Sequence, residues 1–303
     1  MPELPEVETI RRGLNRRAVG REIRQVEVLN FWVIRGNQQV FIQQLEGRRI
    51  SRVDRKGKLL AFELSKGGEP TAHLVVRLGM TGQLTLSPRR EPLLPHTHVR
   101  ITLEEGREEL RYRDPRRFGT LRCCTAAELG EIVRRLGPDA LKITLKQFRA
   151  SLRGRQGAIK GWLLNQRMVA GLGNIYADEA LFDSRIHPQS PAGALPSRAS
   201  RALHSAAVNV LQRAITFQGT SFRDYIDIYG NPGNFGARLS VYGRTDQPCP
   251  RCGNPICRII VCGRSSHFCP HCQPCLKRSS SSPTQAAGKR PPSSGGVRRV
   301  GAS

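Results

Sequence analysis

The chain has 303 residues, enough for two domains and a sizeable core, and its 38% hydrophobic content is low but globular. Its 49 Lys and Arg against 24 Asp and Glu give a formal net charge of +25, which points to a polyanionic partner: DNA, RNA or an anionic membrane. The absence of any run of about 18 apolar residues, and of a basic-then-apolar leader, sets membrane and secretion aside, so a cytoplasmic location with reduced thiols is expected.

Residues 1–20 read as a helix. Pro5 suits its first turn, Glu6 and Glu8 put negative charge at the positive end of the helix dipole, and Val7, Ile10 and Leu14 share one face before Gly20. From about 21 to 124 short alternating runs take over: Val26–Val28, Leu59–Leu64, Leu74–Leu78, Leu84–Leu86, Val99–Leu103, Leu110–Tyr112 and Leu121–Arg122. Turn signals such as Lys66-Gly67-Gly68 separate some of them. That spacing predicts a two-sheet β sandwich with the N-terminal helix packed beside it. Helical patterning returns from about 126 to 225, at Leu129–Leu136, Trp162–Leu164, Asn174–Phe182 and Leu203–Phe217, with His187–Ser200 expected as a loop. The fold class expected is therefore α+β and multidomain: residues 1–125 as helix and sandwich, 126–235 helical, 236–273 a cysteine-rich module, and 274–303 a disordered basic tail. The tail holds six Lys or Arg and no acid, which leaves +19 for the body.

Cys249-Pro-Arg-Cys252 and Cys269-Pro-His-Cys272 are two CxxC pairs separated by sixteen residues. Zinc takes four ligands in a tetrahedron, and each CxxC knuckle offers two sulfurs from one tight turn, so a hairpin between the pairs closes a structural Zn2+ site. Cys257, Cys262, His267, His271 and Cys275 lie nearby and leave the ligand set open to substitution.

Pro2 becomes a reactive group if Met1 is removed, because the chain then begins with a secondary amine. An α-amino group has a pKa of about 8, against about 10.4 for lysine, so more of it is neutral and nucleophilic near pH 7. Such an amine can attack a sugar C1′ and form a Schiff base, with the adjacent Glu3 as a proton source. On residue chemistry alone, Pro2 and Pro5 only shape a helix entry.

A resemblance decides between these readings. Pro2-Glu3-Leu4-Pro5-Glu6-Val7-Glu8-Thr9 resembles the start of the formamidopyrimidine-DNA glycosylase (8-oxoguanine DNA glycosylase/AP lyase) family. Further family-like segments follow in order: Gly57-Lys58-Leu59-Leu60, Leu78-Gly79-Met80-Thr81-Gly82, Asp114-Pro115-Arg116-Arg117-Phe118-Gly119, Gly171-Leu172-Gly173-Asn174-Ile175-Tyr176, and Val241-Tyr242-Gly243-Arg244 before the cysteines. They span residues 2–272, about nine-tenths of the chain; the tail has no counterpart.

The resemblance implies a helical domain with a helix–two-turn–helix, a zinc-finger β hairpin, and duplex DNA in a basic cleft. It implies a bifunctional DNA glycosylase/AP lyase of base excision repair that excises oxidised purines, 8-oxoguanine and formamidopyrimidines, and then cuts the strand by β,δ-elimination. By the same resemblance Pro2 is the nucleophile, Glu3 the acid/base partner, Lys58 an aid to β-elimination and Arg264 the residue linked to δ-elimination. Met80, Arg116 and Phe118 match the wedge that fills the gap left by an extruded base, with Arg116 facing the orphaned cytosine. His96, Arg155, Lys160, Asn174 and Tyr242 fall at backbone-contact positions; Arg155 stands where many relatives carry lysine. Gly171 and Gly173 are expected to let a helix N-terminus approach phosphate. Glu6 is expected to face the lesion pocket, residues 218–235 to cover the base, and the protein to be a monomer. The alternative within the same superfamily is an endonuclease VIII-type enzyme directed at oxidised pyrimidines; alternatives from other classes are a non-catalytic zinc DNA-binding protein and a zinc-ribbon transcription factor. Leu4, Val7 and Phe118 favour the purine branch, and intact Pro2, Glu3 and Lys58 argue against lost chemistry.

Overall fold

A computed structural model describes residues 2–275; the expected disordered tail lies outside them from residue 276 onward. Helix α1 (Leu4–Arg17) starts where Glu6 reaches back to accept the Glu3 amide at 2.7 Å, with Pro5 in the first turn. The next elements are β1 (Ile23–Val28), α2 (Gln38–Gln43), β2 (Arg49–Lys56), β3 (Leu59–Lys66), β4 (Glu69–Arg77), β5 (Gln83–Pro88), β6 (Thr97–Leu103), β7 (Glu108–Arg113) and β8 (Thr120–Cys124). The strands form two four-stranded antiparallel sheets, in the orders β1-β6-β7-β5 and β2-β3-β4-β8. Val26, Val99, Ile101 and Leu110 of one sheet meet Val53, Phe62, Leu74 and Val76 of the other, with Ile10 and Leu14 of α1 in the same core. This is the expected sandwich.

The helical part comprises α3 (Ala126–Arg134), α4 (Leu145–Leu152), α5 (Ile159–Leu164), α6 (Asn174–Asp183) and α7 (Ser197–Thr216). Two details differ from the sequence reading. The 187–200 stretch is not wholly loop, because α7 begins at Ser197, immediately after Pro196. Strand β2 and helices α2 and α4 were not anticipated; β2 carries a register irregularity between Ile50 and Arg52, which breaks the alternation that would have marked it. Leu163, Leu172, Tyr176, Leu203 and Leu211 build a second core, which Leu4 joins, so the front of α1 belongs to the helical half and its remainder to the sandwich.

An ionic clasp spans the same seam. Arg55 on β2, its side chain only 6% exposed, lies 3.0 Å from Glu8 and 2.7 Å from Asp139. Asp139 also accepts the Gly57 amide at 2.8 Å. Burial opposes ionisation of Glu8, but hydrogen bonds from Arg11, Arg55 and Arg12 overcome it and hold the carboxyl down at about 2. Beyond α7, the hairpin β9 (Cys257–Val261) and β10 (Arg264–Phe268) sits on a small core of Phe182, Val241 and Ile256 around Cys249 and Cys269. Among the described residues no helix is long and apolar enough to cross a membrane.

Candidate active site and zinc hairpin

Pro2 and Glu3 are buried where the first residues of the chain lie against the turn that opens α6. Leu4 donates its amide to the Gly171 carbonyl at 3.1 Å. The Glu3 carboxylate accepts the Gly173 amide at 2.7 Å and the Ile175 amide at 3.0 Å. Glu3 is thus an anion held by the amides of this helix N-terminus. The glycines have a second purpose. A Cβ on Gly171, whose φ is +121°, would lie 2.4 Å from Leu4, and one on Gly173 would lie 2.4 Å from Glu3 and 2.5 Å from Lys58 Nζ. Only residues without side chains let the chain start and Lys58 approach this closely.

Lys58 sits between Pro2 and the helical half. Loss of water lowers its pKa; the charges of Glu3 and Glu6 act the other way, and Arg264 adds to the lowering. Pro2, Lys58, Leu59, Arg77, Leu78 and Gly79 line a hollow of about 200 Å³. An adjoining cleft of about 620 Å³ takes in Glu3, Lys58, Met80, Asn174, Tyr242 and Arg264. Residues far apart in sequence thus share one continuous surface.

Glu6 is more constrained than a pocket wall. One carboxylate oxygen accepts the Tyr176 hydroxyl and the Thr220 amide, the latter at 2.8 Å; the other accepts the Glu3 amide. Burial above all, then the charge of Glu3, pushes its pKa up to about 7 against these hydrogen bonds. Through Thr220 it ties the start of the 218–235 loop to the N-terminal end of α1. The same loop docks on the sandwich, where Leu86 donates to the Ile228 carbonyl at 2.8 Å.

The Asp114–Gly119 turn is organised by buried Asp114, which accepts the Thr81 hydroxyl and the amides of Gly119 at 2.8 Å and Arg116 at 3.3 Å. It stitches the Met80 turn to the Phe118 turn. Phe118 is 57% exposed, and the Arg116 guanidinium lies 4.6 Å from its ring centre, so a ring and a cation project together. His96, exposed and at φ +68°, accepts the Asp114 amide through its carbonyl. Arg155 is exposed on a neighbouring hollow with Gly161 and Cys262.

Lys160 departs from expectation. Its side chain has no exposed surface and pairs with Asp178 at 2.6 Å, so it presents nothing to a phosphate. Three further buried acids were not singled out from the sequence. Glu179 accepts the amides of Ser240, Val241 and Tyr242 at 2.8, 2.9 and 2.9 Å, Asp178 holds β10, and Asp139 holds Arg55. The readable signal was α6 itself, where Asp178 and Glu179 interrupt a helix otherwise apolar on every side and buried from Ile175 to Phe182.

The sulfurs of Cys249, Cys252, Cys269 and Cys272 all lie within 4.8 Å of one another, with separations of 3.5 Å for Cys252–Cys269 and 3.9 Å for Cys249–Cys272. A zinc–thiolate tetrahedron with bonds of about 2.3 Å has edges of about 3.8 Å, so the four fit one structural Zn2+ and close its coordination. Of the nearby alternatives, His267 is engaged with Asp178 at 3.3 Å.

Three family models match consecutive stretches: the formamidopyrimidine-DNA glycosylase N-terminal domain at residues 1–121, the H2TH domain of the same family at 136–225, and the zinc finger found in FPG and IleRS at 246–274. The formamidopyrimidine-DNA glycosylase of Moorella thermoacetica is 46% identical over 86% of this chain and 94% of its own length. That of Synechococcus is 43% identical over 91% and 100%. Among solved structures, a mutant Lactococcus lactis FPG in complex with Fapy-dG containing DNA superposes with a TM-score of 0.84 at 35% identity, covering 90% of this chain and all of the other. The Lactococcus lactis Fpg complex with abasic-site DNA gives the same values. With the buried Pro2-Glu3 pair and an adjoining lysine at a cleft that the hairpin of the four-cysteine module also lines through Arg264, and with these matches, the chain belongs to the formamidopyrimidine-DNA glycosylase family.

Proposed function

We propose that this protein is a base-excision DNA glycosylase and AP lyase that removes oxidised purines, 8-oxoguanine and formamidopyrimidines, from duplex DNA. The observation that carries the reading is the convergence of Pro2, Glu3 and Lys58 on the N-terminus of α6, in a cleft that continues to Arg264. A net charge of +25 supplies the attraction for the polyanion. Arg116 and Phe118, exposed together, suit the space vacated by an extruded nucleotide. The relatives solved with Fapy-dG and abasic-site DNA support the same substrate class.

With Met1 removed, the Pro2 nitrogen is a neutral secondary amine whose lone pair attacks C1′. The glycosidic C–N bond breaks and its electron pair leaves with the base, which takes up a proton. The Pro2 nitrogen becomes cationic as it bonds and gives its N–H proton to the Glu3 carboxylate; Glu3 passes that proton to O4′ as the sugar ring opens, and the nitrogen lone pair makes the nitrogen–C1′ bond an iminium. Loss of a C2′ proton expels the 3′ phosphate, and loss of a C4′ proton then expels the 5′ phosphate. Lys58 holds positive charge beside the first of these phosphates and Arg264 beside the second. His96, Arg155, Asn174 and Tyr242 are proposed to hold the backbone. Met80 completes the wedge, and Glu6 fixes the loop over the displaced base. The zinc keeps the hairpin folded and takes no part in these steps.

The test is reductive trapping. Incubated with an 8-oxoguanine:cytosine duplex and borohydride, the protein is expected to form a covalent adduct, and an added N-terminal residue, which converts the Pro2 amine to an amide, is expected to remove it. Undiminished trapping by that variant would reject Pro2 as nucleophile. One structural relative was solved with oxidised-pyrimidine DNA, so a duplex carrying an oxidised pyrimidine serves as the comparison substrate.

A further inference from the structure

We infer that Lys160 and Asp178 are positioning residues for Arg264: they lock the start of β10, and with it the guanidinium assigned to the second elimination, from a place DNA cannot reach. The inference rests on the proposed role of Arg264. Lys160 Nζ, fully buried, lies 2.6 Å from Asp178 Oδ1 and donates to the Ser265 carbonyl at 2.7 Å. Asp178 Oδ2 accepts the His267 backbone amide at 2.9 Å and lies 3.3 Å from His267 Nδ1. The residues held, 265 and 267, directly follow Arg264 on its own strand.

Arg264 depends on that clamp because no side-chain bond of its own aims it, and the ladder to β9 fixes it only relative to the other strand of the hairpin. Its side chain is exposed at the rim of the cleft, and among the described residues its guanidinium makes no ion pair. Its place is therefore set by its backbone. The module is tied near the end of α6 by Arg251, which donates to the Phe182 carbonyl at 2.6 Å, and by Gln273, which donates to the Ile186 carbonyl at 2.8 Å, whereas the bonds to the Ser265 carbonyl and the His267 amide hold β10 itself and fix its register. A fully buried ammonium is costly, and burial lowers the pKa of Lys160, with Asp178 opposing the fall. Such a group is retained where its directionality is used. Helix α6 thereby connects two chemistries: its first amides hold Glu3 beside Pro2, and Asp178, one turn on, holds the strand that carries Arg264.

Lys160→Met alone leaves Asp178 buried without its countercharge and can unfold the hairpin for that reason. The decisive protein is the double variant Lys160→Met/Asp178→Asn, in which the pair carries no charge; bound zinc and the thermal midpoint check its fold. On an abasic-site duplex, gels separate the β- and δ-elimination products, and borohydride trapping reports the Schiff base. The δ-to-β ratio is expected to fall by about tenfold or more, while trapping changes by less than about threefold, since misplacement of roughly 1 Å costs up to about 100-fold in the step concerned. A zinc-loaded double variant with the wild-type ratio would overturn the inference, as would a parallel fall in trapping and δ-product. If the double variant loses zinc, Asp178→Asn decides, with zinc content and thermal midpoint checked because Lys160 is then left without its countercharge: the Lys160 amine still reaches Ser265 but the His267 bond is weakened, so in zinc-loaded protein a ratio lowered by about threefold is expected and an unchanged one refutes. Wild-type protein that stops after β-elimination would overturn the Arg264 assignment and this inference with it, a result distinct from an unchanged ratio in the variants.

Discussion

Replacing Gly173 by alanine tests how tightly the active site is built. The added Cβ would lie 2.4 Å from Glu3 Cδ and 2.5 Å from Lys58 Nζ, where ordinary contact begins at 3.4 Å, so each must move by about 1 Å. Lys58 ends a flexible chain and can swing aside. Glu3 cannot, because its two oxygens are held by the Gly173 and Ile175 amides. Displacing it forfeits at least one hydrogen bond to a charged acceptor, worth about 1.5–3 kcal/mol, and misplaces the proposed proton carrier by about 1 Å, worth roughly 100-fold in rate. The backbone itself is not strained, since φ −133° and ψ −155° suit any residue, so the fold should lose only about 1–3 kcal/mol to overpacking. Single-turnover trapping on an abasic duplex is therefore expected to fall about 100-fold in a protein that still unfolds cooperatively. Gly130→Ala is the control: its Cβ meets nothing closer than 3.5 Å in helix α3, so trapping should stay at the wild-type rate and stability should rise by up to about 1 kcal/mol. Wild-type trapping by Gly173→Ala would refute the reasoning.

Glu6 gives a pH signature. Its carboxyl is raised from 4.5 to about 7 in the folded protein, which binds the proton more tightly than the unfolded chain, so its stabilising contribution is complete below pH 4.5 and lost as pH rises through 7. The decline amounts to about 3 kcal/mol; urea unfolding across that window should show it in the wild type and not in Glu6→Gln, and an equal decline in both would dismiss the assignment. Arg55→Met strands Asp139, whose side chain is 4% exposed, and should cost about 3–5 kcal/mol in denaturant titrations; a cost below about 1 kcal/mol would mean the clasp is ornamental. Metal analysis should find one zinc per chain. Its removal by a chelator should abolish δ-elimination while far-UV dichroism retains the sandwich, whose core is separate from the hairpin's; intact δ-elimination without zinc contradicts the hairpin's role.

Much of this was legible in the sequence for a physical reason: alternation and helical spacing record burial, and burial builds the elements. Val26, Val99 and Leu74 were placed by period alone, and the CxxC pairs by ligand chemistry. Strand β2 escaped because its irregularity shifts the inward face partway along. Helix α4 carried a readable sign in Thr144 and Gln147, which form a capping box. The site divides differently. Pro2, Glu3 and Lys58 were visible through motif, whereas the partners of Glu8, Asp139, Asp178 and Glu179 are made by tertiary contacts that no local pattern encodes. Lys160 illustrates the limit: a lysine looks the same in sequence whether it faces a phosphate or is sealed against a carboxylate.

The central claim is most directly tested by locating the covalent bond. Active protein is trapped on an abasic duplex with borohydride, digested, and the peptide bearing the reduced deoxyribose remnant is sequenced by mass spectrometry. The remnant is expected on Pro2 at the start of a peptide lacking Met1; a remnant on Lys58, or full activity in protein that retains Met1, would contradict the account.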